Sequence, residues 1–140
     1  MAVRKNERNE GTLQVLKLST DLCVYTLSIL KNDKVFPKSQ RWLITSSIAK
    51  EAVDTMTCVR RANSVLLRPG IEGERDYIYR RAQQIEAHGH IGALLSLIDV
   101  SFQLNDIEPK RVKYWTGLAV ETDQKLKSWM RSDKERMKKK

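Results

Sequence analysis

Between Leu13 and Leu30 the apolar positions fall into two stripes. Leu13, Leu16, Cys23, Leu27 and Leu30, with Thr20 in the remaining heptad slot, are spaced by threes and fours and share one helical face. Val15, Leu18, Leu22 and Tyr25 form a second stripe, well separated around the wheel, and only a narrow strip with Gln14, Lys17, Asp21 and Ser28 is clearly polar. A helix apolar on two sides needs two partners. One is its own bundle; a neighbouring subunit is the other, with Val15, Leu18, Leu22 and Tyr25 as the expected oligomer contacts.

The pattern breaks at "KNDK" (31–34), where Asn and Asp favour a turn. In "VFPKSQRW" (35–42) Pro37 suits a first helical turn, Ser39 a local cap and Phe36 a hydrophobic staple, and Trp42 is expected in or beside the core. Leu43, Ile44, Ile48, Ala52, Met56, Val59, Ala62 and Leu66 then recur at helical spacing until Arg68, Pro69 and Gly70 stop the helix. In the third segment Tyr77, Gln84, Ile91 and Ile98 are seven apart, as are Arg81, His88, Leu95 and Phe102, and together they predict a continuous seam. A different face carries Ala82, Gly89, Gly92 and Ser96, small enough to let another helix approach closely. After "NDIEP", Val112, Trp115, Ala119, Thr122, Leu126 and Trp129 step by threes and fours.

These patterns predict an all-α fold with helices over roughly 10–31, 38–67, 72–104 and 108–136. Short connections make sequential helices antiparallel, giving an up-down-up-down four-helix bundle. The 140 residues suit one domain, with a short basic arm at 1–9 and a basic tail at 131–140. Only six glycines and three prolines are present, too few for the turns of a sandwich or barrel.

Charge adds a partner to this picture. The net charge is +9, and residues 131–140 hold six basic and two acidic side chains, a net of +4. Such a balance favours an anionic partner, most often nucleic acid, over a merely solubilising tail. Counting apolar runs finds no secretory signal and no stretch of about 18 apolar residues, so a cytoplasmic protein without a membrane partner is expected. Cys23 and Cys58 lie on apolar faces and read as buried thiols rather than a disulfide.

Little in the sequence supports catalysis. "EAHGH" (86–90) is the only cluster resembling a metal site, yet no Glu-x-x-His pair exists and two histidines two apart point to opposite sides of a helix. His88 lies on the expected core seam. "RPGIEGE" lacks the lysine and the strand of a phosphate-cradling loop, and the cysteines lack a positioned base. Neither cofactor nor metal is expected, and the protein is read as not an enzyme.

The basic residues are more suggestive. Arg60, Arg61 and Arg68 close the second helix, Arg75, Arg80 and Arg81 open the third, and Lys110, Arg111 and Lys113 open the fourth. In an antiparallel bundle Arg61, Arg68, Arg75 and Arg80 gather at one pole; Lys110, Arg111 and Lys113 lie nearer the other with Lys31, Lys34 and Lys38. Arginine donates bidentate hydrogen bonds to phosphate, so all nine are candidate nucleic-acid contacts, with Lys38 and Arg41 secondary. The competing reading is a set of solvated faces with local pairs, such as Glu72 or Asp76 to Arg80. Trp115 and Trp129 follow the core period, so base stacking is not indicated.

The second segment, "FPKSQRWLITSSIAKEAVD", resembles small four helix bundle proteins, a family that includes rRNA intervening-sequence proteins and accessory variability determinants of diversity-generating retroelements. The third, "RRAQQIEAHGHIGALLSLIDVSF", is similar to their alanine-x-glycine-small helix. The resemblance covers roughly residues 10–130. Glu51 stands where the family has an alanine, and "DTMTCVRRANSVLL" (54–67) departs from the intervening-sequence branch, so the retroelement branch is favoured. That resemblance implies a basic homopentamer that binds the reverse transcriptase and RNA or an RNA–DNA hybrid in support of mutagenic cDNA synthesis. The alternative is a protein-interaction bundle of the intervening-sequence type without direct nucleic-acid binding.

Overall fold

The computed structural model describes the backbone of residues 2–138 and the side chains of residues 11–138. Four long helices account for most of the chain: α1 (Ala2–Lys31), α2 (Ser46–Asn63), α3 (Gly70–Leu104) and α4 (Pro109–Lys138). The main pairings are α1 with α2, α2 with α3, α3 with α4 and α4 with α1, so each helix packs on two neighbours around one core. The segment read as a basic arm is the first part of α1, its side chains lying outside the described residues, as do Lys139 and Lys140 of the tail.

Neither stripe of α1 keeps the side its spacing predicts: the expected subunit stripe enters the core, and the expected core stripe is split between buried and exposed positions. Val15 and Leu22 are 1% and 0% exposed in the chain's own core, with Ile29, Leu16 and Cys23 also buried. Val15 and Leu22 therefore cannot serve as a subunit interface, and Tyr25 packs edge-on against Tyr114 and Trp115. Leu18 is half-buried. The core heptad runs 15, 19, 22, 26, 29, and Ser19 and Thr26 conceal it from a hydrophobicity count. Both are fully buried because their hydroxyls are satisfied: Ser19 donates to the Leu16 carbonyl at 3.0 Å, and Thr26 accepts from the Trp115 indole at 2.9 Å. Leu13, Val24 and Leu27 remain exposed instead. With both sides apolar, Gly11–Lys31 reaches a mean hydropathy of 1.3, long and apolar enough to cross a membrane by length and composition, although no uninterrupted apolar run exists. Of that window 39% is buried inside the bundle.

The entry to α2 also departs from expectation. Asn32 closes the turn, its carbonyl accepting from Val35 and Phe36 and its side chain from the Lys34 amide. Phe36 is buried against Trp115, with ring centroids 6.3 Å apart. Pro37 precedes a 3-10 turn at Lys38–Gln40 and then a wide π turn at Arg41–Thr45, in which the Ser46 amide bonds the Arg41 carbonyl. The wide turn shifts the side-chain register. It buries Ile44 and Thr45 and leaves Trp42 92% and Leu43 78% exposed, so Trp42 is not a core residue. At the other end α2 stops at Asn63, and Leu66 is exposed. Two glycines shape the following turn. Gly70 has φ +92°, and a Cβ on Gly73 would lie 1.7 Å from the Arg68 carbonyl oxygen.

On α3 the seam through Gln84, Ile91 and Ile98 is buried, with Tyr77 at its edge, whereas His88 and Phe102 of the second register are exposed. The small-residue face points to solvent as well. Ala82, Gly89, Gly92 and Ser96 are exposed, and Cβ atoms on either glycine would meet nothing within 4 Å, so no helix of this chain approaches there. Gly89→Ala and Gly92→Ala are therefore expected to stabilise the isolated chain, by about 0.5–1 kcal/mol each, as read by urea denaturation. On α4, Trp115, Ala119, Thr122, Leu126 and Trp129 are buried as the spacing predicts, and the same face continues to Asp133.

Candidate nucleic-acid interface

Arg80 and Asp133 define the end of the bundle where the basic residues concentrate. Asp133 is fully buried, and Arg80, 5% exposed, grips it with Nε at 2.7 Å and Nη2 at 2.9 Å. Arg80 also donates to the Val65 carbonyl at 2.8 Å and stacks over Trp129, 4.9 Å from the ring centroid. Gln84 and Arg136 complete the carboxylate's shell at 2.9 and 2.7 Å. Arg80 is thus consumed inside the protein and cannot meet a phosphate. Neither Glu72 nor Asp76 pairs with it; both instead pair with Arg68, at 3.4 and 3.1 Å, which partly neutralises a second candidate.

The next residue along α3 faces a different setting. Arg81 is half-buried and donates to the Met130 carbonyl at 3.2 Å. With Lys127, Met130, Arg131 and Lys134 it lines a cleft of about 260 Å³ between α3 and α4. Lys127, Arg131 and Lys134 follow a four-then-three spacing that keeps them on one helical face, and Lys138 extends it. No carboxylate lines the cleft, and of its four cations Lys127 pairs with Asp123, at 3.2 Å. Four cations around one concavity raise the local potential far more than the same charges dispersed.

The remaining candidates are spread out. Arg60, Arg61 and Arg75 are exposed near the same end, while Lys110 and Lys113 line a separate groove of about 520 Å³ with Tyr114, Gly117, Leu118 and Glu121. Arg111 is half-buried near Tyr25, whose phenol is pushed up by burial while the Arg111 charge opposes the rise. Lys127, Arg131 and Lys134 escape a reading of the sequence because Arg131 and Lys134 count there only as charge of the 131–140 tail and Lys127 lies before it among solvated helix positions. The spacing past Trp129 was the available signal.

The two histidines diverge, each bridging α3 to a different helix. His88 Nδ1 lies 2.6 Å from Asp123, and His90 Nδ1 lies 2.6 Å from Glu51. Among the described residues no three His, Cys, Asp or Glu side chains gather as metal ligands. Cys23 and Cys58 are free and buried, and burial pushes both thiols up, Cys58 with further help from the Glu86 charge. A raised thiol pKa keeps the thiolate scarce, and with it the nucleophile.

No known protein family, curated protein or solved structure matches this chain. The likeness to four helix bundle proteins rests on the quoted motifs alone.

Proposed function

We propose that this chain is a non-enzymatic, basic helical bundle that binds single-stranded RNA or an RNA–DNA hybrid through the Arg81–Lys127–Arg131–Lys134 cleft. The observation that carries the reading is four cations lining one concavity without a carboxylate. An antiparallel up-down-up-down arrangement underlies it, supported by partners whose numbers run in opposite directions: Arg80 with Asp133 and His88 with Asp123 on α3 and α4, Cys58 with Glu86 and Glu51 with His90 on α2 and α3. In the retroelement setting that the motifs suggest, the bundle acts in the cytoplasm as an accessory to the reverse transcriptase, assembled as a homo-oligomer, a pentamer by resemblance. The exposed Leu13 and Val24, not Val15 and Leu22, are then the α1 residues available for assembly.

The test is a salt-titrated gel shift with a single-stranded oligoribonucleotide. Lys127→Ala, Arg131→Ala and Lys134→Ala together should weaken binding at least tenfold and reduce the salt slope by about 2, from roughly 0.7 per lost phosphate contact. The Arg60, Arg61 and Arg68 triple, the combination the sequence favours, should cost less because Arg68 is held by two carboxylates, against one for Lys127, and none of the three lines the cleft. An unchanged slope in the α4 triple defeats the proposal.

A further inference from the structure

We propose that the groove between α1 and α2 beside Trp42 docks an acidic amphipathic helix of a partner protein. This goes beyond nucleic-acid binding and uses different residues. The groove measures about 530 Å³ and is floored by Leu27, Leu30 and Ala49. The Trp42 indole lines it, 92% exposed. A tryptophan beside an apolar groove is costly to leave in water, and tryptophan is among the side chains most enriched where binding energy concentrates.

Charge selects the occupant. Lys31 and Arg41 line the groove, and Lys34 and Lys38 lie in the connection between them. None of these four pairs with a carboxylate among the described residues, unlike Arg68, Arg80, Lys127 and Arg136 at the other end. No acidic residue lines the groove. An incoming helix with an apolar stripe flanked by Asp or Glu would fill the floor and satisfy the unpaired cations, the helix-in-groove mode of recognition. A second copy of this chain carries a net charge of +9, the wrong sign. Single-stranded nucleic acid fits less well: Trp42 is the one aromatic ring lining the groove, a platform for a single base, whereas the aliphatic floor of Leu27, Leu30 and Ala49 suits an apolar stripe.

The probe is a glutamate-rich peptide of about five helical turns with leucine and phenylalanine on one face. A control peptide keeps the charges but carries serine at the apolar positions. Trp115 and Trp129 are 0% and 5% exposed, so a shift of tryptophan emission to shorter wavelength reports Trp42. The apolar-striped peptide should produce that shift and the serine control should not. Measured by anisotropy of labelled peptide, Trp42→Ala and Arg41→Glu should each weaken binding about tenfold or more. The Lys127, Arg131 and Lys134 alanine triple should leave it unchanged, which separates this site from the RNA cleft. Equal binding of the two peptides overturns the proposal, as does no binding. So does loss of peptide affinity in the α4 triple. If Trp42→Ala abolishes oligoribonucleotide binding but spares the peptide, the occupant is nucleic acid; if it converts an oligomer to a monomer by light scattering, the occupant is a second copy. Either result overturns the acidic-helix assignment.

Discussion

Asp133→Ala is expected to destabilise the bundle by about 3–5 kcal/mol, because it strands a buried charge. The carboxylate is fully buried and accepts from Arg80, Gln84 and Arg136. Without it, the Arg80 guanidinium, itself 5% exposed, keeps only the Val65 carbonyl and the Trp129 face. Against a typical total stability of about 5–15 kcal/mol, this would lower the melting temperature by roughly 10–20 °C. Asp133→Asn preserves the shape and one acceptor and should fall between. The discriminating variant is Asp133→Ala combined with Arg80→Met, since removing both charges leaves no fully buried ion uncompensated, only the Gln84 amide and the half-buried Arg136 without their acceptor. Its unfolding midpoint should recover well above that of Asp133→Ala alone. Additive losses in the pair, measured by urea denaturation, would count against a coupled network.

Trp115→Ala should be comparably severe, at about 3–5 kcal/mol. Trp115 is fully buried, lies edge-on to Phe36 and Tyr25, and donates its indole N–H to Thr26. It thereby joins α4, α1 and the turn before α2. Trp115→Phe retains most of the packing but leaves the buried Thr26 hydroxyl without its donor. Adding Thr26→Val to Trp115→Phe should restore part of the loss, because the unsatisfied group is then gone. Trp42→Ala supplies the contrast. At 92% exposure its midpoint should change by no more than about 0.5 kcal/mol in equivalent stability. Trp115 and Asp133 lie eighteen residues apart on α4, roughly 27 Å, so their effects should add.

These two residues also show how far local pattern reaches. Trp115 was legible because it falls in a three-four-three-four series with Val112, Ala119, Thr122, Leu126 and Trp129. Asp133 continues the same series, but a carboxylate does not announce burial without its partner. Arg80 lies 53 residues away, in a cluster that reads as phosphate-binding. The cleft cations were half legible. Their spacing is helical, yet nothing local says that α4 stays ordered to Lys138 against Arg81.

Local pattern alone specifies four helices, the approximate places where they connect and the excess of positive charge. Helical periodicity is a property of neighbouring residues, and glycine and proline act on their own backbone. Tertiary structure decided three other matters. It chose which stripe of α1 enters the core, because Thr26 is tolerated there only where the Trp115 indole answers its hydroxyl. It withdrew Arg80 from the surface, because a buried carboxylate from α4 reaches it. It turned Trp42 outward, because a wide turn at Arg41–Thr45 rotates the register before α2 begins. Each depends on a partner distant in sequence or on one extra residue in a turn, and neither leaves a period that can be read along the chain.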